Sequence, residues 1–191
     1  MDGDGGDLWV YTCMRRKSYL LLGFSIGRWT QETCKKMITK VKDCLKDGKT
    51  TFYSDGNDDY LYVLPEFFQN LDYGQIVKIR ENSRVKDKVK RIQKGNPSSK
   101  RIETYNIENL NSILRNHLSR LVRKGKGFTK IDFRLHDALA LFRFIWNFIH
   151  PLKSKKTPAM IEGLSEQAWT WKIITHIPIY PKLKDIGQFC Y

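Results

Sequence analysis

The sequence predicts an α/β fold in which a mixed sheet is flanked by helices. Two observations carry this. Short β-branched and aromatic runs occupy 8–14, 19–27, 50–54 and 74–80, and helical apolar spacing marks the stretches between and after them. At 191 residues the chain reads as one domain, long enough to bury a core. Hydrophobic content of 41% with 13% aromatics fits a folded chain rather than a disordered tail.

Taken in order, LWVYTCM (8–14) and YLLLGFSIG (19–27) read as adjacent antiparallel strands joined by a basic turn at RRKS. TQETCKKMITKVKDCLKDG follows as a helix with Cys34, Met37, Ile38, Val41, Cys44 and Leu45 on its apolar face, Thr30 as N-cap and Gly48 just past its end. TTFYS (50–54) and GQIVKIR (74–80) are the next strands. Between Lys78 and Arg101 stand ten basic residues against Glu81 and Asp87, with few apolar residues and a GNPSS ending. That composition predicts an exposed loop, either a solvated linker or an arm that tracks phosphates. A helix bearing Glu108 buries Ile107, Leu110, Leu114, Leu118 and Leu121, and a second runs from about Lys130 to Ile149 with aromatics that belong to the core. After the basic turn HPLKSKKTPAM, Thr157 and Pro158 fit the N-cap and first position of a last helix. No internal repeat is visible.

Lys and Arg outnumber Asp and Glu 34 to 20, giving a net charge of +14 and a pI of about 9.7. Such an excess calls for an anionic partner, and nucleic acid is the commonest. A membrane surface is the rival, but no apolar stretch approaches the roughly 20 residues a span needs. The N-terminal MDGDGGD is acidic and glycine-rich, unlike a signal peptide. Cys13, Cys34, Cys44 and Cys190 are scattered without a C-x-x-C pair, so they read as reduced thiols of a cytoplasmic protein and not as zinc ligands.

Two carboxylates stand out. Asp55 ends the apolar run TTFYSDG, where a strand stops at a glycine turn. Glu108 opens NIENLNSILRNHLSRLVRK, which carries Arg115, Arg120, Arg123 and Lys124 and no further acid. A carboxylate at a strand end and another on a nearby helix can share hard divalent ions. Two such ions activate and stabilise the attacking and leaving oxygens of a phosphodiester. Asn111, Ser112 and Arg115 share the helical face of Glu108, a polar and cationic strip suited to a phosphate backbone. The duller readings are a turn-forming Asp-Gly at Asp55 and a macrodipole-favoured acid at Glu108. A calcium loop through Asp55, Asn57, Asp59 and Glu66 is rejected: Tyr60 stands where the sharp turn needs glycine, Pro65 intrudes, and paired flanking helices are lacking.

SDGNDDYLYVLP, DYGQIVKI, GNPSSKRIETYNIENLNSILRNHLSRLVRKGKGFTK and WNFIHPLKSKKTPAMIEGL together resemble transposases of small prokaryotic insertion sequences. The likeness is strongest to the family named after insertion sequence one, of the DDE class with an RNase H-like core, and it spans about Leu8 to Trp171. The resemblance implies that Asp55 and Glu108 are the second and third metal-binding acids, with Asn111 and Arg115 beside them. The family's first acid lies on a first core strand, upstream of the strand that LWVYTCM resembles. Here only seven residues precede Leu8, and Asp2, Asp4 and Asp7 lie among glycines with no apolar run. The zinc-binding or helix-turn-helix region that such transposases often carry is also missing. The resemblance places the first strand centrally, between the partners of LWVYTCM and TTFYS. Removing it leaves two lines of backbone donors and acceptors unpaired.

The expectation is therefore an α/β, RNase H-like mixed sheet with flanking helices and without its first core strand, over 1–171, followed by a C-terminal tail at 172–191. The expected function is DNA transposition, with metal-dependent strand cleavage and strand transfer. Asp55 and Glu108 would be the catalytic and metal-binding acids for Mg2+ (or Mn2+), two ions in a complete site. Arg115, Arg120, Arg123, Lys124 and Lys126 would hold the DNA backbone beside Asn111, with Lys88, Lys90 and Arg91 extending the grip. The partners would be element-end and target DNA, with a homo-oligomer or a mixed assembly with full-length transposase, in the prokaryotic cytoplasm at the nucleoid. The alternative is a catalytically inactive DNA-binding remnant that interferes with full-length transposase.

Overall fold

The structure, a computed structural model, describes residues 8–82, 84–121 and 132–176. β1 (Trp9–Met14) and β2 (Leu21–Gly27) pair antiparallel, with Trp9 opposite Gly27 and Thr12 opposite Phe24. The basic turn between them closes where Tyr19 donates to the Arg15 carbonyl at 2.8 Å. α1 (Gln31–Asp43) starts at Thr30, whose hydroxyl accepts from the Thr33 amide and so satisfies one of the helix's orphan donors. It buries Cys34, Met37, Ile38 and Val41 completely or nearly so. Cys44 departs from expectation. The helix ends at Asp43, which leaves Cys44 at the C-cap, turned off the apolar face and exposed.

β3 (Thr50–Asp55) runs parallel to β4 (Leu71–Glu81), and α2 (Asp59–Phe67) is the crossover that a parallel pair requires. α2 was not foreseen, because Pro65 signals a break. Burying Val63 and Leu64 outweighs the hydrogen bond that the proline removes. The expected exposed loop between Lys78 and Arg101 is instead mostly strand: β5 (Arg84–Lys94) pairs antiparallel with β4 over its whole length. Its side chains are exposed except for the half-buried Val89, so no apolar alternation betrayed it, and the β4 backbone organises it instead. A lysine-rich outer edge of this kind discourages further strand addition.

α3 (Tyr105–His117) is shorter than predicted and gives way at Leu118 to a tight turn over Ser119–Leu121. α4 (Asp132–Phe144) continues into a wider turn at Ile145–Ile149, which matches the expected second helix. α5 (Pro158–Ile161) begins at Thr157, whose hydroxyl accepts from the Met160 amide at 3.2 Å. It is not the last helix, since α6 (Trp171–His176) follows.

Two cores form. Tyr11 of β1, the α1 and α2 faces, and Leu71 and Tyr73 of β4 make one. Leu21 and Phe24 of β2, Leu110 and Leu114 of α3, and Leu135, Leu139 and Trp146 make the other. Asn147, buried in the second, accepts from the Leu21 amide at 2.9 Å and donates to the Leu21 carbonyl at 3.0 Å. It thus pairs with the outer edge of β2 as a strand residue would. Among the described residues no helix is long and apolar enough to cross a membrane.

Candidate functional site

Among the described residues the two sheets do not join. Among the described residues β1 bonds only β2, and β3 bonds only β4 on the way to β5. Between them lies a cleft of about 1290 Å³, lined by every residue of β1 and every residue of β3. Tyr11, early in β1, reaches the turn after β3: its hydroxyl donates to Asp59 Oδ2 at 2.5 Å and accepts from Asn57 Nδ2 at 3.3 Å. Arg16, past the end of β1, lies over the Tyr53 ring with its guanidinium 5.4 Å from the centroid. β1 therefore begins beside the turn that follows β3, and the chain leaving β1 lies over β3, so the two strands run in opposite senses across the cleft.

Strand period sorts the lining into two faces. Tyr11, Cys13 and Phe52 point toward α1 and α2 and pack in the first core. Val10 and Met14 point toward the second core, and Thr12 on the same face donates to Asn111 Oδ1 of α3 at 3.1 Å. Asp55 is opposite Ile76, and Lys78 stands two residues further along β4 on that same face. There Lys78 Nζ donates to Glu108 Oε1 at 2.8 Å, and the Thr104 hydroxyl adds a weaker bond at 3.4 Å. Asp55 and Glu108 thus both line the cleft on its α3 side, as do Asn111 and Arg115. The hydrogen bond from Lys78 is the main reason the Glu108 carboxyl is held below the ordinary carboxylate range, against the raising effect of partial burial. Asp55 is exposed, and its Oδ1 accepts from the Asn57 amide at 3.4 Å, a local turn bond.

The cationic residues divide by register. Lys90 is opposite Ile76 and Lys88 opposite Lys78, so both share the face of Asp55 and Glu108. Arg91 is opposite Gln75, on the other face of the sheet. Lys90 comes within 4.0 Å of Glu103, which also takes Arg16 at 3.0 Å. Arg115 is exposed on α3, and Arg120 belongs to the turn after it. Arg123, Lys124 and Lys126 lie outside the described residues. Lys78 was counted among the basic residues, but its pairing with Glu108 was not legible. It depends on a strand register and a helix docking that no local signal encodes.

The donor set suits a hard divalent ion only in part. Two carboxylates face one cleft, yet Lys78 already occupies Glu108, and among the described residues no group of three acidic, histidine or cysteine side chains gathers to hold a metal. Among the described residues the two acids do not by themselves build a two-ion site. Cys34 takes no part: burial pushes its thiol up to about 12, which keeps it a protonated core group. Compared with family models, curated proteins and solved structures, the chain matches none of them.

Proposed function

We propose that this chain is the RNase H-like catalytic part of an insertion-sequence DNA transposase. The observation that carries the reading is the convergence of Asp55 and Glu108 on one cleft and one sheet face, with Lys78, Lys88 and Lys90 on that face as well. The sheet order supports it too. An antiparallel pair and a parallel pair flank a gap where an RNase H-like sheet has its central strand.

In this reading the cationic face holds the phosphate backbone by charge, independent of sequence. Asn111, tied to β1 through Thr12, sits one helical turn from Glu108 and fixes the spacing between α3 and β1. Lys78 holds Glu108 ionised and oriented through its 2.8 Å hydrogen bond. The chemistry that a divalent ion supplies when bound is an activated oxygen nucleophile and a stabilised leaving oxygen. Further ligands for it would come from a strand in the gap.

The test is nicking and joining of supercoiled plasmid in Mg2+, by the chain alone and by a fusion carrying one apolar, aspartate-containing strand ahead of residue 8. Cleavage by the fusion that is lost in Glu108→Gln, with DNA binding retained, supports the reading. Failure of both proteins to bind duplex DNA refutes it. Among the described residues no third acid joins Asp55 and Glu108, and this favours a second reading, a DNA-binding remnant without catalysis. DNA binding with no cleavage by the fusion decides for it.

A further inference from the structure

We infer that the far end of the β4–β5 hairpin is a two-stranded ribbon that enters the major groove of duplex DNA tip first, with Asn82 against the base edges. This deepens the DNA-handling reading above and rests on it. Among the described residues β3 pairs with β4 only as far as Asp55 opposite Ile76, whereas β4 and β5 stay paired as far as Glu81 opposite Arg84. The turn after β3 still covers Val77, since a Cβ on Gly56 would lie 3.4 Å from the Val77 Cα. Lys78 is tied to Glu108. From Ile79 outward, among the described residues, the two strands pair only with each other.

Exposure sets this end apart. Every side chain over 84–88 is exposed, as are Glu81 and Asn82. Two apolar residues join them, Ile79 at 43% and Val85 at 46%. Ile79 is opposite Asp87 and Val85 opposite Arg80, so the two belong to opposite faces of the ribbon. Each face thus leaves an apolar residue in water. A two-stranded hairpin is marginal by itself, so this projection adds little to the stability of the fold. Its charge suits a polyanion: over 78–88 five residues are Lys or Arg, against Glu81 and Asp87, and Lys86 meets Glu81 at 2.6 Å.

Dimensions select the groove. Residues 79–81 span about 10 Å at roughly 3.4 Å per residue, and the turn adds to that. The major groove is about 8.5 Å deep, so the tip reaches its floor. Lys88, opposite Lys78 at the base of the projection, then stays level with the phosphates at the groove mouth. One sheet layer with its side chains is about 10 Å thick. It fits a major groove about 12 Å wide and not a minor groove of about 6 Å. The deep, narrow major groove of duplex RNA shuts it out. A lipid surface suits the ribbon less, because Glu81 and Asp87 would enter with the tip.

Asn82 stands at the apex between the paired Glu81 and Arg84, with φ 49. Asparagine tolerates that left-handed conformation, which by itself accounts for a turn residue. Its exposed side-chain amide also carries the donor and acceptor that match an adenine edge in the major groove.

The experiment measures fluorescence anisotropy of short labelled duplexes of one mixed sequence with the full chain. One duplex carries ordinary cytosine and the other glucosylated 5-hydroxymethylcytosine, whose sugar fills the major groove. The ordinary duplex should bind about tenfold or more tighter, and distamycin in the minor groove should leave its binding unchanged. Asn82→Gly keeps the left-handed turn, so a purely structural asparagine would leave both affinities as they are. Groove entry predicts instead about a fivefold or greater loss on the ordinary duplex alone, with the salt slope unchanged because a base contact releases no counterion. Equal wild-type affinities for the two duplexes overturn groove entry, as do displacement by distamycin and an Asn82→Gly variant that binds like wild type. Equal or tighter binding to duplex RNA or to phosphatidylserine vesicles overturns it too. In all these cases duplex DNA binding persists and the transposase reading stands; absence of binding to either DNA duplex removes both.

Discussion

Lys78 on β4 donates to Glu108 on α3 at 2.8 Å, across 30 residues of sequence, and Glu108 and Asp55 both line the cleft. The pair is partly exposed, 34% for the lysine and 43% for the glutamate, so its worth in stability is small, about 0.2–1 kcal/mol. Its larger effect is on titration. The Glu108 carboxyl is held low mainly by Lys78, so the pair's contribution is complete above the ordinary glutamate range and is lost as pH falls through the depressed folded value. Lys78→Met should move the Glu108 carboxyl back toward its ordinary range in an NMR titration. It should also flatten the acid limb of stability slightly. An unmoved Glu108 titration would show that the lysine is not its partner in solution.

The register of β5 makes a sharper prediction for DNA binding than composition does. With about five phosphate contacts engaged, the log–log salt slope should be near −4 to −5. Lys88 and Lys90 share the face of Glu108, and Arg91 does not. Replacing both lysines by Gln should reduce the slope by about 1.8, at roughly 0.9 per contact. Arg91→Gln should change it much less. Equal effects from all three residues, or a slope that is flat in the wild type, would rule out the assigned face.

Asn147 should be among the most sensitive polar positions. Both of its amide atoms bond the Leu21 backbone inside the second core. Asn147→Leu strands a buried N–H and a buried C=O, each costing about 1–3 kcal/mol. A loss of roughly 2–4 kcal/mol in urea unfolding is expected, with faster exchange at the Leu21 amide. A loss below the cost of one stranded group would mean that water or a neighbour takes over.

Tyr11 ties β1 to the turn that follows Asp55, through Asp59 and Asn57. Removing the hydroxyl in Tyr11→Phe keeps the ring in the core and deletes only that tie. A hydrogen bond to a charged group contributes about 1.5–3 kcal/mol, so stability should fall by that order. Amide exchange across 55–59 should rise at the same time. If exchange there is unchanged while stability falls, the tie does not hold the Asp55 turn.

What the sequence determined by itself is local. Thr30 and Thr157 announce helix starts because a hydroxyl at an N-cap bonds an amide only two or three residues on. The apolar face through Cys34, Met37, Ile38 and Val41, and the antiparallel pairing of β1 with β2, follow from periodicity over a few residues. Tertiary structure decided the rest. β5 is a strand although its side chains bury almost nothing, because its hydrogen bonds are specified by β4 and not by its own composition. α2 forms through Pro65 because the first core rewards burying Val63 and Leu64. Asp55 and Glu108 could be named as acids from the sequence. Their shared cleft depends on Asp55 lying in register with Ile76 and on Leu110 and Leu114 docking α3 on the second core. Those are contacts between residues far apart in the chain, and backbone pairing and core burial set them where no local pattern could.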